Sequence, residues 1–165
     1  MVVKCNFLHF WQVIWKLNIL DKVKKLTWRA CYNSLFSKIN LVKRQVITNG
    51  TCKIRQSYQE DVAHALYLCP KLAEFWNLVP LWNHSNLRQS SSFVNIMGCI
   101  LVEDKYPTLF EMVVWALWNW WNSLRQGETT STLGQILKQT KERQLEFSLH
   151  HTIAPSSSVR PNTSW

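Results

Sequence analysis

The chain is patterned for helices and hardly at all for sheet. From Phe7 to Leu20 apolar residues return at near-helical intervals, at Phe7, Phe10, Trp11, Ile14, Trp15 and Leu17, the spacing of one helix face. Four Gly and five Pro among 165 residues are too few for the tight turns of an all-β domain. No pair of alternating segments suggests a hairpin. The expected fold class is all-α. An apolar content of 47% can fill a core, and ten Trp supply large anchors for it or for an interface.

Local signals divide the chain. Asp21 opens a second helix, Lys22 to about Leu35, as a short acceptor at its start. Val23, Leu26 and Ala30 form one apolar arc of it, and Trp28, Cys31 and Leu35 a second. Lys22, Lys25 and Arg29 share a third side within about 60°. Ser37 caps a third helix that adds Lys43 and Arg44. Asn49-Gly50 marks a turn in a loop. Glu60 or Asp61 then begins a helix that Pro70 restarts. Pro107 and Gly127 bracket a Trp-rich helix in the positions these residues favour. Thr132 and Gln135 have the spacing of a capping box for a last one. The expected organisation is a small helical domain at 7–80, a linker at 81–105, a separate helical pair at 106–148 and a disordered tail at 149–165.

The charge is unevenly placed. Residues 1–55 hold eleven Lys and Arg against a single acid, Asp21, whereas the remainder is close to neutral. Such a local excess favours a polyanion, most often nucleic acid; a basic, solvated helical surface gives the same composition. The expected contacts are Lys22, Lys25, Arg29, Lys43 and Arg44, with Lys24 at their margin. The five cysteines are odd in number and irregularly spaced, and no secretory leader is evident. Free thiols and an intracellular site, nucleus or cytoplasm, are expected. No apolar run approaches the roughly 20 residues of a membrane span.

The stretch from Cys52 to Cys69 reads Cys52-x2-Arg55-x8-His64-x4-Cys69. Structural zinc takes four Cys or His ligands. Cys52, His64 and Cys69 are of the right type, but a guanidinium at Arg55 has no lone pair for a metal. The residues alone leave a three-ligand zinc site and a metal-free buried set both open. Tyr58-Gln59-Glu60-Asp61 approaches the paired aspartates of two-metal polymerases but lacks flanking strands. No enzyme is expected.

Taken in order, Trp11, Trp15, Lys16, Leu17, Trp28, Arg29, Ala30, Asn33, Leu35, Asn40, Leu41, Cys52, Glu60, His64, Cys69, Pro70 and Trp76 resemble the zinc-binding domain of plant reverse-transcriptase-like proteins derived from non-LTR retrotransposons. The similarity spans about residues 7–80. The later "WALWNWWN" and "TLGQILKQTKERQLEF" segments are similar to helices linking that domain to a ribonuclease H domain. The resemblance implies zinc at Cys52, His64 and Cys69, neighbouring polymerase and nuclease domains, and binding of RNA or DNA without sequence preference. Arg55 stands where the family has its second Cys, and Leu20, Asp21 and Phe36 where it has Pro, the marks of a degenerate copy. The alternative expectation is a structural, inter-domain or protein-contact element with no metal and no selected function, which self-associates through Trp115, Trp118, Trp120 and Trp121.

Overall fold

The computed structural model describes residues 7–153, apart from 55, 57 and 84. The described residues are all-α and contain no sheet. In chain order the helices are α1 (Phe7–Lys16), α2 (Asp21–Cys31), α3 (Lys38–Lys43), α4 (Pro70–Asn77), α5 (Ser85–Arg88), α6 (Phe93–Val102), α7 (Pro107–Gln126) and α8 (Leu133–Ile153). A π-turn at His64–Leu68 precedes α4, and a 3-10 turn at Pro80–Trp82 follows it.

α7 is the axis of the fold. It packs against α2, α6, α8 and the π-turn, which is why its apolar residues are not confined to one stripe. Pro107 begins it and Gly127, at φ 77°, ends it. α8 runs back along it, opened by the reciprocal bonds of a capping box. Thr132 N–H donates to Gln135 Oε1 at 2.9 Å, and Gln135 N–H to Thr132 Oγ1 at 3.3 Å.

Two expected boundaries are absent. Residues 81–105 are not a linker: Trp82, Leu87, Phe93, Ile96, Met97 and Ile100 lie in a core continuous from Phe10 to Leu137. The polar stretch around Leu87 only borders a short helix, while Trp82 Nε1 donates to Lys105 O at 2.8 Å and Tyr67 donates its hydroxyl proton to Trp82 O. The helical pair is therefore not separate. Trp76 sits at the centre of this core, 4.8 Å from Tyr67 and 5.8 Å from Phe110 between ring centroids; truncating such a ring costs about 3–5 kcal/mol. Nor does a tail begin at 149. α8 continues to Ile153, because no Gly or Pro interrupts the chain between Gly134 and Pro155. Residues 154–165 lie outside those described.

α2 ends at Cys31 rather than near Leu35. Asn33 takes φ 51°, its N–H donates to Ala30 O at 3.0 Å, and Ser34 N–H donates to Arg29 O at 2.8 Å, a Schellman closure. The two apolar arcs of α2 differ: Val23 and Ala30 of the first are buried, with Thr27 between them, but Trp28 of the second is 42% exposed. The Trp-rich segment of α7 is not an open interface, since Trp118, Trp120 and Trp121 are buried within this chain and Trp115 partly so.

Candidate metal centre and nucleic-acid interface

A helix of ordinary pitch does not bring His64 and Cys69 together. Five steps of 100° leave them about 140° apart. The backbone widens instead into the π-turn, where Cys69 N–H donates to His64 O at 3.0 Å. That i→i+5 closure adds a residue to the turn and brings both side chains to one side. Asp61 fixes its start, its Oδ1 accepting from His64 N–H at 2.7 Å. Pro70 then starts α4.

Cys52 arrives from the opposite loop. Asn49 Oδ1 accepts from Thr51 N–H at 2.8 Å and Thr51 Oγ1–H at 2.7 Å, the side-chain turn typical of Asn. Thr51 and Gln59 form an isolated antiparallel bridge. Cys52 N–H donates to Tyr58 O at 2.8 Å, and Glu60 N–H to Gly50 O at 2.9 Å. Gly50 is required by close approach: a Cβ there would meet Gln59 Oε1 at 2.8 Å and Ile39 Cδ1 at 2.9 Å.

The two segments place ligand atoms of Cys52, His64 and Cys69 within 4.8 Å of one another. Tetrahedral zinc with bonds of 2.0–2.3 Å spaces such atoms about 3.3–3.8 Å apart, so a contraction of about 1 Å suffices. All three residues are buried, and His64 Nε2 has no hydrogen-bond partner, an orphaned acceptor that a metal would satisfy. Burial lowers the His64 pKa against the opposing pull of Asp61 and favours the neutral ligand form. Burial pushes the Cys69 thiol up to about 11, while the backbone N–H groups of Lys71 and Leu72 work the other way. The donor set fits zinc at three positions. The frame's remaining position, Arg55, lies outside the described residues.

Glu60 anchors this loop. Its Oε1 accepts from Lys38 N–H at the start of α3 and from Arg125 Nη1, each at 3.3 Å, and Lys38 Nζ donates to Thr51 O at 2.6 Å. Burial raises the Glu60 pKa despite these cations. It is a structural anchor here. Arg125, 65 residues away from it, carried no local signal.

The six basic candidates divide into two groups. Lys22 sits 4.4 Å from the Trp115 ring centroid, and Lys24 Nζ donates to Trp15 O at 3.1 Å; both face α1 and α7. Arg29 from α2 and Arg44 from α3 converge on Phe36, at 5.2 and 5.0 Å from its ring. Lys25 and Lys43 are exposed on the same two helices.

Residues 1–76 match the family described as zinc-binding in reverse transcriptase. The match covers the metal loop, α1 to α3 and nearly all of α4. A protein of Arabidopsis thaliana named "Putative ribonuclease H protein" is 24% identical over 166 residues, covering 92% of this chain. The chain spans 25% of that relative's length. No solved structure matches. The family match and the motif resemblance overlap over residues 7–76. No helix among those described is long and apolar enough to cross a membrane.

Proposed function

We propose that this chain is a non-catalytic, nucleic-acid-binding element of a retrotransposon-derived protein, with zinc held at Cys52, His64 and Cys69 to brace its loop. One observation carries the reading. Arg29 and Arg44, from two different helices of the family-matched region, meet over Phe36 beside exposed Lys25 and Lys43. This makes one cationic surface out of residues scattered along the sequence, as phosphate contact requires. The non-catalytic part rests on the acids: two-metal phosphoryl chemistry needs clustered carboxylates, and Glu60 and Glu111 belong to separate interfaces among the described residues.

Anisotropy of a labelled oligonucleotide across a salt series tests this. Affinity should fall by about 0.9 log unit per log unit of salt for each phosphate neutralised on duplex DNA. Lys25→Gln with Arg44→Gln should lower that slope by about two. Absence of binding at low salt would overturn the reading.

A further inference from the structure

The basic surface carries more than charge. Trp28, Tyr32 and Phe36 are 42%, 50% and 45% exposed; Trp15, Tyr58 and Tyr106 are exposed too, but are not interleaved with the basic residues of α2 and α3. Trp28, Tyr32 and Phe36 succeed one another at four-residue intervals across the solvent side of α2 and the turn that follows it. Lys25 and Arg29 lie among them, and Arg44 reaches in from α3.

The strip is held in place from beneath. Trp11 of α1 stacks on Tyr32 with centroids 5.3 Å apart and planes 8° from parallel. Trp28 lies 5.1 Å from Tyr32 at 54°. Arg125 Nη1 donates to Phe36 O at 2.8 Å, tying that end to α7. Large apolar rings left in water at the surface of a protein with a well-filled core mark a contact site. A duplex offers phosphates but keeps its bases stacked inside. An unpaired strand offers both phosphates and open base faces, the pairing that charge interleaved with aromatic rings recognises.

We infer that Trp28, Tyr32 and Phe36, interleaved with Lys25, Arg29 and Arg44, form a stacking platform for single-stranded nucleic acid. The inference rests on the proposed function and adds to it the strand state of the ligand. Trp28 is the leading base contact, because it is the largest of the three exposed rings. The guanidiniums over Phe36 are placed for the phosphates on either side.

The experiment compares a labelled oligodeoxythymidylate, an abasic strand of equal length and a duplex of equal length, by anisotropy at one low salt. The full chain should bind the base-bearing strand about tenfold more tightly than the abasic one, the worth of one stacked base. Trp28→Ala should erase that difference and leave abasic binding unchanged; Trp28→Phe, which keeps a ring, should retain most of it. Lys25→Gln should weaken all three ligands. Equal affinity for base-bearing and abasic strands overturns the platform and leaves the phosphate reading standing, with no variant needed. Failure of all three ligands to bind overturns both. If Trp28→Ala abolishes self-association in sedimentation but leaves strand affinities unchanged, the strip is a protein contact and the inference is wrong.

Discussion

Arg125 Nη1 lies 3.3 Å from Glu60 Oε1 and joins the middle of the metal loop to the end of α7. The same guanidinium donates to Phe36 O at 2.8 Å and Asn122 Oδ1 at 2.5 Å, and sits 5.5 Å over the Trp118 ring. One side chain thus fixes the metal loop, the aromatic strip and the Trp-rich helix relative to one another. The carboxylate is 1% exposed and the guanidinium 18%. Arg125→Met should cost about 3 kcal/mol, because it strands a buried acid. Adding Glu60→Gln should restore part of the loss. Urea unfolding of the two singles and the double gives the coupling energy. A loss below about 1 kcal/mol, the range of exposed pairs, would show that the pair does not organise the loop.

Glu111 on α7 is fully buried against α2, beside Thr27, Lys24 and Cys31. Burial raises its pKa to about 8, with Thr27 and Lys24 opposing. Burial and the Glu111 carboxylate together push the Cys31 thiol up. An acid whose folded pKa exceeds its unfolded value holds a proton in the folded state that the unfolded chain has released. Its contribution to stability is fully present below about pH 4.5 and is lost as pH rises through about 8. Across that window the loss approaches 1.4 kcal/mol per pH unit. Glu111→Gln should flatten the decline between pH 6 and pH 8 in urea midpoints. An unchanged pH profile would show that Glu111 titrates near its ordinary value.

The sequence carried the helices with strong local signals and missed what depends on distant partners. Pro107, Gly127 and the Thr132–Gln135 box were readable because each makes its bonds within one turn. The burial of residues 81–105 was not, since Trp82 and Leu87 are apolar islands in polar text whose partners come from α4, α6 and α7. Helical spacing places Trp28 on an apolar arc; a wheel gives the angle of a side chain but not whether a neighbour covers it. The metal set is the opposite case. A 3.6-residue period separates His64 from Cys69, and only their ligand type and the resemblance join them, because the π-turn that unites them has no periodic signature.

Helix ends show a second reason for misreading. Asn33, Gln45 and Asp104 adopt φ of 51°, 58° and 45° at positions that close α2, α3 and α6, where Gly is usual. A chain with four Gly has few to place there. Gln45 has a long, exposed side chain, and its N–H donates to Val42 O at 2.9 Å whatever the residue. Gln45→Gly should therefore remove left-handed strain and stabilise the protein by about 0.5–1 kcal/mol. Thermal unfolding measures it directly; a lower Tm would mean that flexibility gained by the unfolded chain outweighs the relief.

The last prediction concerns zinc and its fourth position. Cys52, His64 and Cys69 are brought together by the loop bridge and the π-turn, both held by backbone bonds. Zinc binding at these three positions should stabilise the fold by the linkage relation, about 2.7 kcal/mol at a hundredfold excess over Kd. Native mass spectrometry of the chain with added zinc should show one ion, lost in Cys69→Ser and in His64→Ala. Arg55→Cys supplies a thiolate in place of a cation, so it should retain the ion against a chelator that strips the parent chain. If Arg55→Cys holds zinc no better than the parent, the loop does not present residue 55 to the centre, and a donor other than residue 55 completes the coordination. If neither chain raises its Tm with zinc, the three buried ligands are packing residues, and the metal part of the proposed function falls while the cationic surface stands on its own test.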